Sequence, residues 1–533
     1  SLKNPPVVEE NIKISQLADD TVIFVNAIED GNTAIKEVKT FGVLAGPKLN
    51  LMKTNVMSTS FQEECLDNLE WTNEPIKYLG VYITQGKKES ESLNWNLKLE
   101  KVNSLLRVWK MRNLTYYGKI TIIKTLIASQ FVYIATCLPI PQKFVVNLNR
   151  LIYSFLWGSK REKIKREVVT RAAEGWGLNM VDIQTKFQSL QLSWFSKYMK
   201  GGKSQWRILF RYWISFIQDI PLILKVNCSS KDMFSLCKMY KLPIFYANLL
   251  TYWCELRYVH FLNVRDICNE ILWYNSNIKH ERNVLFFKKW NVNGICKVSD
   301  VFENGQWVSC NTLFERLGTS SLLDSFKLSK LKRAFPKVWV EKIRNNNFNP
   351  IATEVSEGMF EISNCDLIKL SLMKAKHFYI LLNEFKKENP PVSLFWQEIL
   401  QLPNNFEWRH VLDFKLKKIK DNRVRQFNFK LLHKVLPFKD NLYKWKITSD
   451  MLCTYCNESE SFIHILLRCR QVAVFWQKIH HLVTNLFQKD IELGEKIILI
   501  GFNIEDPEFL LMNVLIVYAQ YAIYKVYILN HLR

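Results

Sequence analysis

Near the C-terminal end of this 533-residue chain, Cys453-Thr-Tyr-Cys456 is followed after seven residues by His464 and after four more by Cys469. A Cys-x2-Cys turn presents two thiolates from one tight loop, and a later His and Cys can close a tetrahedron of sulfur and nitrogen ligands, the set that Zn2+ prefers. Four protein ligands leave no coordination position for water, so the ion such a set predicts is structural. The competing reading is four unliganded side chains in a small apolar patch. Spacing favours the metal, and so does compartment. The twelve cysteines show no even framework, and the chain opens Ser-Leu-Lys-Asn-Pro-Pro without a secretory leader pattern. Both predict a reducing interior, nucleus or cytoplasm rather than secretion, where clustered cysteines are ligands before they are disulfides.

A second candidate lies at the other end. Ile12-Lys-Ile-Ser-Gln-Leu17 alternates like a half-buried strand, Thr21-Val-Ile-Phe-Val25 is a buried β-branched and aromatic run, and Ala18-Asp19-Asp20 joins them. Two strands with a short Asp-bearing connection predict a hairpin whose tip presents two adjacent carboxylates. Carboxylates so placed can bind Mg2+ and serve phosphoryl transfer. By itself the tripeptide reads as an ordinary turn, because Asp side chains bond nearby backbone amides.

Two further motifs follow in order, Gly46-Pro-Lys-Leu-Asn50-Leu-Met-Lys53-Thr54 and Lys77-Tyr78-Leu79-Gly80. This succession resembles the reverse transcriptases of non-LTR, LINE-type retrotransposons. There an aromatic-Ala-Asp-Asp hairpin precedes a helix, a Gly-x-x-Leu-Asn-x-x-Lys-Thr loop and a Tyr-Leu-Gly strand. The resemblance implies that Asp19, with Asp20 beside it, is a Mg2+ ligand of a polymerase palm. It implies that Lys53 lies near the incoming nucleotide's phosphates, and that Lys77, Tyr78 and Gly80 belong to the strand gripping the primer. Phe155-Leu-Trp-Gly158, the basic stretch Lys160–Arg166, Glu174-Gly-Trp-Gly-Leu178, and the Cys/His set with Phe475-Trp476 downstream also resemble that family beyond its thumb. The function implied is an RNA-directed DNA polymerase with an RNA template and a DNA primer or target as partners.

The chain departs from the pattern in three places. Leu17 stands where the family has Tyr or Phe, and Trp176 separates two glycines that are usually adjacent. Only 18 residues precede Asp19, whereas the family's other metal-binding Asp and its fingers lie far upstream. The expectation is a fragment, inactive alone. The alternative is a non-enzymatic nucleic-acid-binding remnant or domesticated protein.

The elements that must position these residues are mostly helical. Apolar residues recur at helical spacing over Leu93–Met111, Tyr116–Ile134 and Val145–Leu156, and scarce Gly and Pro leave few breaks. The fold class expected is mainly α with a small α+β N-terminal part. Residues 1–86 are an incomplete palm, 87–160 a helical thumb, 161–405 a helical connector, and 406–533 a basic domain with a zinc knuckle. A net charge of +23 attracts polyanions, of which nucleic acid is the commonest, with a solvated basic surface or an anionic membrane as alternatives. Residues 87–124 hold nine Lys/Arg against three acids, and 409–446 hold twelve against Asp413, Asp421 and Asp440. From the second stretch Lys415, Lys417, Lys418, Arg423 and Arg425 are the candidate phosphate contacts. The interleaved Phe414, Phe427, Phe429, Phe438, Tyr443 and Trp445 either stack on unpaired bases or pack the core. The longest apolar run, Leu510–Leu529, is interrupted by Asn513, Gln520 and Lys525, which predicts a buried terminal helix and no membrane partner.

Overall fold

The computed structural model describes residues 13–17, 20–46, 48–57, 69, 72, 74–218, 220–256, 267–318, 321–345, 359–362, 366–384, 390–488, 491–502 and 507–531. The protein is mostly helical. Among the described residues every sheet is a single antiparallel pair of strands. The chain separates into two compact units, Ser1–Lys98 with Val132–Phe144 and Gln184–Asn383, and Leu99–Phe131 with Val145–Ile183 and Glu384–Arg533.

In the first unit, strands Ile14–Leu17 and Asp20–Ile23 pair with Leu17 opposite Asp20 and Ile14 opposite Ile23. The helix Ile28–Ala45 follows, in the place where the resemblance puts one. A second hairpin pairs Ile76–Tyr78 with Val81–Ile83. Its turn puts Leu79 (φ 45°) and Gly80 (φ 80°) in left-handed conformations. Glycine meets that demand without a Cβ penalty, whereas leucine there is strained. Buried Asn94 clamps this hairpin by accepting from the Tyr82 N–H at 2.8 Å and donating to the Tyr82 carbonyl at 2.9 Å. Beside it Trp95 packs on Phe144 and Phe187, with centroids 4.7 and 6.3 Å away.

The large core of this unit holds Trp253, Trp273 and Trp290, all buried. One acid is enclosed at its margin. The Asp324 carboxylate receives Lys289 at 2.9 Å, the Trp290 indole at 3.0 Å and Lys327 at 3.1 Å. Burial by itself would raise its pKa, but these three donors outweigh it and hold the group near 2. Among the described residues the region expected to be a helical connector also carries three short antiparallel strand pairs, Lys279–His280 with Asn283–Val284, Phe302–Glu303 with Gln306–Trp307, and Met359–Ile362 with Asp366–Lys369. The second turns through left-handed Asn304 and Gly305, the Asn-Gly pair that favours a two-residue hairpin. Its strands, only two residues long, are too short to show an alternating pattern.

In the second unit the glycine pair split by Trp176 still makes its tight turn. Trp176 takes the left-handed position itself (φ 69°), fully buried against Trp408 at 4.9 Å and His433 at 5.9 Å. A Cβ on Gly177 would lie 1.9 Å from the Arg171 carbonyl oxygen, so only glycine fits there. Burial pushes the His433 imidazole down to about 4, and its Nε2 sits 2.7 Å from the Trp176 carbonyl.

Tyr116–Cys137 and Phe509–Asn530 are the two helical stretches among the described residues long and apolar enough to cross a membrane. The second turns Met512, Ile516, Val517 and Tyr527 inward. Its buried polar groups are bonded: Asn513 exchanges hydrogen bonds with the Phe502 backbone, and Gln520 donates to the Ile498 carbonyl at 2.9 Å. Its opposite side leaves Leu511, Tyr518, Val526 and Leu529 exposed, so the helix expected to be buried is packed on one side only.

Candidate metal centre and nucleic-acid interface

The Cys/His set is gathered by a bridge and a wide turn. Leu452 pairs with Ser459, the Cys453 N–H donates to the Glu458 carbonyl at 2.7 Å, and the Asn457 N–H donates to the Cys453 carbonyl at 2.9 Å. Left-handed Asn457 (φ 59°) reverses the chain. The π-turn His464–Arg468 then brings the Cys469 N–H onto the His464 carbonyl at 2.8 Å, and Cys469 opens the helix Arg470–Phe487.

Cys453, His464 and Cys469 are buried and Cys456 is half-buried, and the four ligand atoms lie within 4.8 Å of one another. Around a tetrahedral Zn2+ with bonds of about 2.0–2.3 Å such atoms stand roughly 3.5–3.8 Å apart. The set therefore closes on an ion by small side-chain rotations. Cys456 Sγ and His464 Nε2 are already 3.2 Å apart. His464 Nδ1 faces the Glu458 carboxylate at 3.4 Å, the outer-shell partner that orients a ligating imidazole. Burial, with Cys469 adding to it, pushes the Cys453 thiol up to about 11. A divalent ion supplies the charge that makes a thiolate favourable in such a place. These residues fit structural Zn2+.

The module is anchored by aromatic packing. Phe462 meets Phe395 at 6.2 Å and Trp396 at 5.5 Å, and the Trp396 indole donates to the Leu432 carbonyl at 2.7 Å. Glu460, also buried, accepts from the Lys439 N–H at 2.8 Å and from the Tyr527 hydroxyl. Sequence reasoning missed the roles of Glu458 and Glu460. Their one signal is position, inside the loop between the Cys pair and the His.

The basic stretch upstream behaves unevenly. Lys417 and Lys418 are exposed, with Asp413 at 3.4 and 3.7 Å, and Glu174 lies 3.0 Å from Lys417. Arg423 is exposed at the start of the helix Asn422–Leu432, which Asp421 caps by accepting the Arg423 N–H at 2.7 Å. Arg425 is committed inside the unit, donating to the Leu416 carbonyl at 2.9 Å and lying 3.9 Å over the Tyr117 ring.

Lys415, expected beside Lys417 on the phosphate-facing surface, is instead only 1% exposed. It lies in the π-turn Phe414–Lys418. Phe414, Lys415 and Leu416 all face inward there, whereas Lys417, two positions and about 200° of helical turn from Lys415, faces solvent. Phe414, Phe427, Phe429 and Phe438 are buried as well, so of the six aromatics only Tyr443 and Trp445 reach solvent.

The buried amine gives a clean test. Its Nζ has Gln520 Oε1 at 3.4 Å, and burial pushes its pKa down to about 7 from 10.5. Between those values the unfolded chain binds more protons, so stability should rise with pH across that window and lose the slope below it. Lys415→Met is expected to remove this rise and to stabilise the protein near neutral pH by about 1 kcal/mol or more. Urea melts at pH 7 and pH 9 measure both. A less stable variant would mean that the ammonium is needed where it lies.

At the N-terminal end, Asp20 is exposed on its strand, and Asp19 with Ala18 lies outside the described residues. The Ser15 hydroxyl on one hairpin and the Tyr78 hydroxyl on the other are 3.4 Å apart, so the Asp-bearing strand pair and the Tyr-Leu-Gly hairpin come together. Lys77 is exposed, with Nζ 5.6 Å from the Tyr82 ring. Lys53 is exposed on a short 3-10 turn. Asp20 belongs to no group of three or more metal-ligating side chains among the described residues.

Residues 391–476 match the family described as zinc-binding in reverse transcriptase, a span containing both the basic helix and all four ligands. The chain is a retrotransposon reverse-transcriptase-related protein. It is similar to the Transposon TX1 uncharacterized 149 kDa protein of Xenopus laevis, 20% identical over 518 residues, which is 88% of this chain and 38% of that protein. Over 71 residues, 13% of this chain and 12% of the relative, it is 34% identical to an Arabidopsis thaliana protein named for ribonuclease H. The chain thus spans well under half the length of either relative.

Proposed function

We propose that these residues are part of an RNA-directed DNA polymerase, the reverse transcriptase of a non-LTR, LINE-type retrotransposon, working inside the cell on an RNA template and a DNA primer or target. In this reading Asp19 and Asp20 hold Mg2+ on one side of the reacting phosphate. Lys53 neutralises the incoming nucleotide, and Lys77, Tyr78 and Gly80 steady the primer. The zinc-bearing unit grips nucleic acid by its backbone. The observation that carries the reading is the match to the reverse-transcriptase zinc-binding family over residues whose four metal-ligating atoms lie within 4.8 Å of one another. The order of the motifs and the +23 charge support it.

Binding should be tolerant of sequence, because backbone contacts carry no base information. Counterion release then predicts affinity falling at least tenfold between about 50 and 200 mM salt. Charge reversal at Lys417, Lys418 and Arg423 should weaken binding to RNA, single-stranded DNA and hybrid duplex about equally. Affinity that stays flat across the salt range, or loss confined to one sequence, would count against this electrostatic grip.

A further inference from the structure

Away from the exposed lysines of the basic stretch, the second unit gathers three others from separate segments. Lys119, on the helix Tyr116–Ile122, donates to the Leu156 carbonyl at 3.2 Å, where the helix Gln142–Trp157 ends. Gly158 follows at φ 70°, a left-handed position that suits glycine. Lys430, on the helix Asn422–Leu432, holds Nζ 5.3 Å from the centre of the Tyr116 ring. Lys163 comes in from an exposed stretch, its Nζ 5.8 Å from the Trp445 ring. The charges of Lys163 and Lys119 both bear on Lys430, and those of Lys110 and then Lys163 bear on Lys119.

Among the described residues none of the three lysines forms an ion pair. Trp157, edge-on to Tyr116 at 5.2 Å, buries an indole N–H that meets no acceptor. Aromatic faces can hold ammonium groups in place, but they do not neutralise them. Burial first, then the charges of Lys163 and Lys119, bring Lys430 down to about 8. A half-buried cluster composed of donors, with like charges crowded and no counter-ion of its own, is a poor structural arrangement and a good anion receptor.

We propose that Lys119, Lys163 and Lys430 form a phosphate-binding pocket, and that the phosphate it takes belongs to a nucleic-acid backbone. The source of that phosphate rests on the polymerase reading; the pocket itself does not. Lysine suits the task as a point charge that accepts a phosphate in any orientation, which fits a grip on backbone rather than a readout of bases. Lys430 lies about two turns along its helix from exposed Arg423, so the pocket extends the basic face into the unit.

Two variants of the full chain test this, Lys430→Met and the double variant Lys119→Met/Lys163→Met, with inorganic phosphate and a single-stranded oligonucleotide as probes. Inorganic phosphate should raise the unfolding temperature of the parent protein and leave Lys430→Met unmoved. Without phosphate, Lys430→Met should melt higher than the parent, because crowding of like charges is relieved. The double variant should bind the oligonucleotide roughly tenfold more weakly, with a salt slope smaller by about one to two. If Lys430→Met melts lower without phosphate, the lysine is structural and the pocket is refuted. Oligonucleotide binding unchanged in the double variant also refutes the pocket while sparing the polymerase reading. A parent protein that responds to phosphate but binds no oligonucleotide keeps the pocket, assigns it a free phosphate, and removes the polymerase reading instead. Response to neither probe overturns the proposal.

Discussion

Removing zinc should collapse the segment around residues 451–476 and leave the aromatic anchors upstream in place. Three thiols and an imidazole lie within 4.8 Å of one another. Without an ion the four ligands themselves are held by the 3.2 Å contact between Cys456 and His464, the Glu458 carboxylate beside His464 and the backbone turns, while Phe462 and Glu460 tether the loop around them. Structural zinc contributes roughly 10–16 kcal/mol to the folding of small modules, more than the few bonds of this loop can replace. The damage should stay local. Phe462 is the side chain that joins the loop to Trp396, whereas Trp396 is held independently by the Leu432 carbonyl. Protein purified without chelator should carry one zinc per chain by elemental analysis. Chelation should then speed amide exchange over the loop and not over the helix Asn422–Leu432. Cys456→Ser should lose the metal with the same exchange signature. Absence of zinc in the parent protein, or normal zinc in Cys456→Ser, would remove the metal centre.

Template-directed primer extension is expected to be undetectable for these 533 residues with either Mg2+ or Mn2+. In a longer frame that supplies the opposite side of a palm it should appear, and then disappear on Asp19→Ala. Phosphoryl transfer with two metals needs carboxylates on both sides of the ion pair, set before the nucleotide arrives. In the proposed reading Asp19 and Asp20 supply one side. In the reverse transcriptases this chain resembles, the other side and the nucleotide-holding fingers lie upstream of that motif. Losing that much preorganised charge costs several kcal/mol of barrier, and roughly each 1.4 kcal/mol is a factor of ten in rate. Robust extension by the isolated chain would falsify this and require another carboxylate to complete the site. A longer enzyme indifferent to Asp19→Ala would take the Asp pair out of the chemistry and favour the non-enzymatic nucleic-acid-binding reading.

The zinc ligands were legible in sequence because a metal site of this kind is written in local spacing. A tight turn fixes the first two cysteines, and a short helical segment fixes His464 relative to Cys469. The long helices and the first N-terminal hairpin were legible for the same reason, since each depends on periodicity or turn chemistry within a few residues; Lys77–Gly80 read as a single strand, but Leu79 and Gly80 form the turn between two short strands. Three other features were decided only by tertiary structure. Lys415 looks no different in sequence from Lys417, yet one is buried and the other exposed, because the terminal helix covers one side of this turn, with Gln520 beside Lys415 and Val517 in the core with Phe414. Trp176 reads as an interruption between two glycines, but it becomes a core anchor because Trp408 and His433 arrive from more than two hundred residues away. Lys119, Lys163 and Lys430 stand apart in three basic stretches and form one cluster only when the helices Tyr116–Ile122 and Asn422–Leu432 pack, joined where Gln426 accepts the Tyr116 N–H at 2.7 Å. Spacing along the chain determines which ligands and elements form; which charges end up crowded, buried or facing solvent depends on segments distant in sequence, and that was settled by packing.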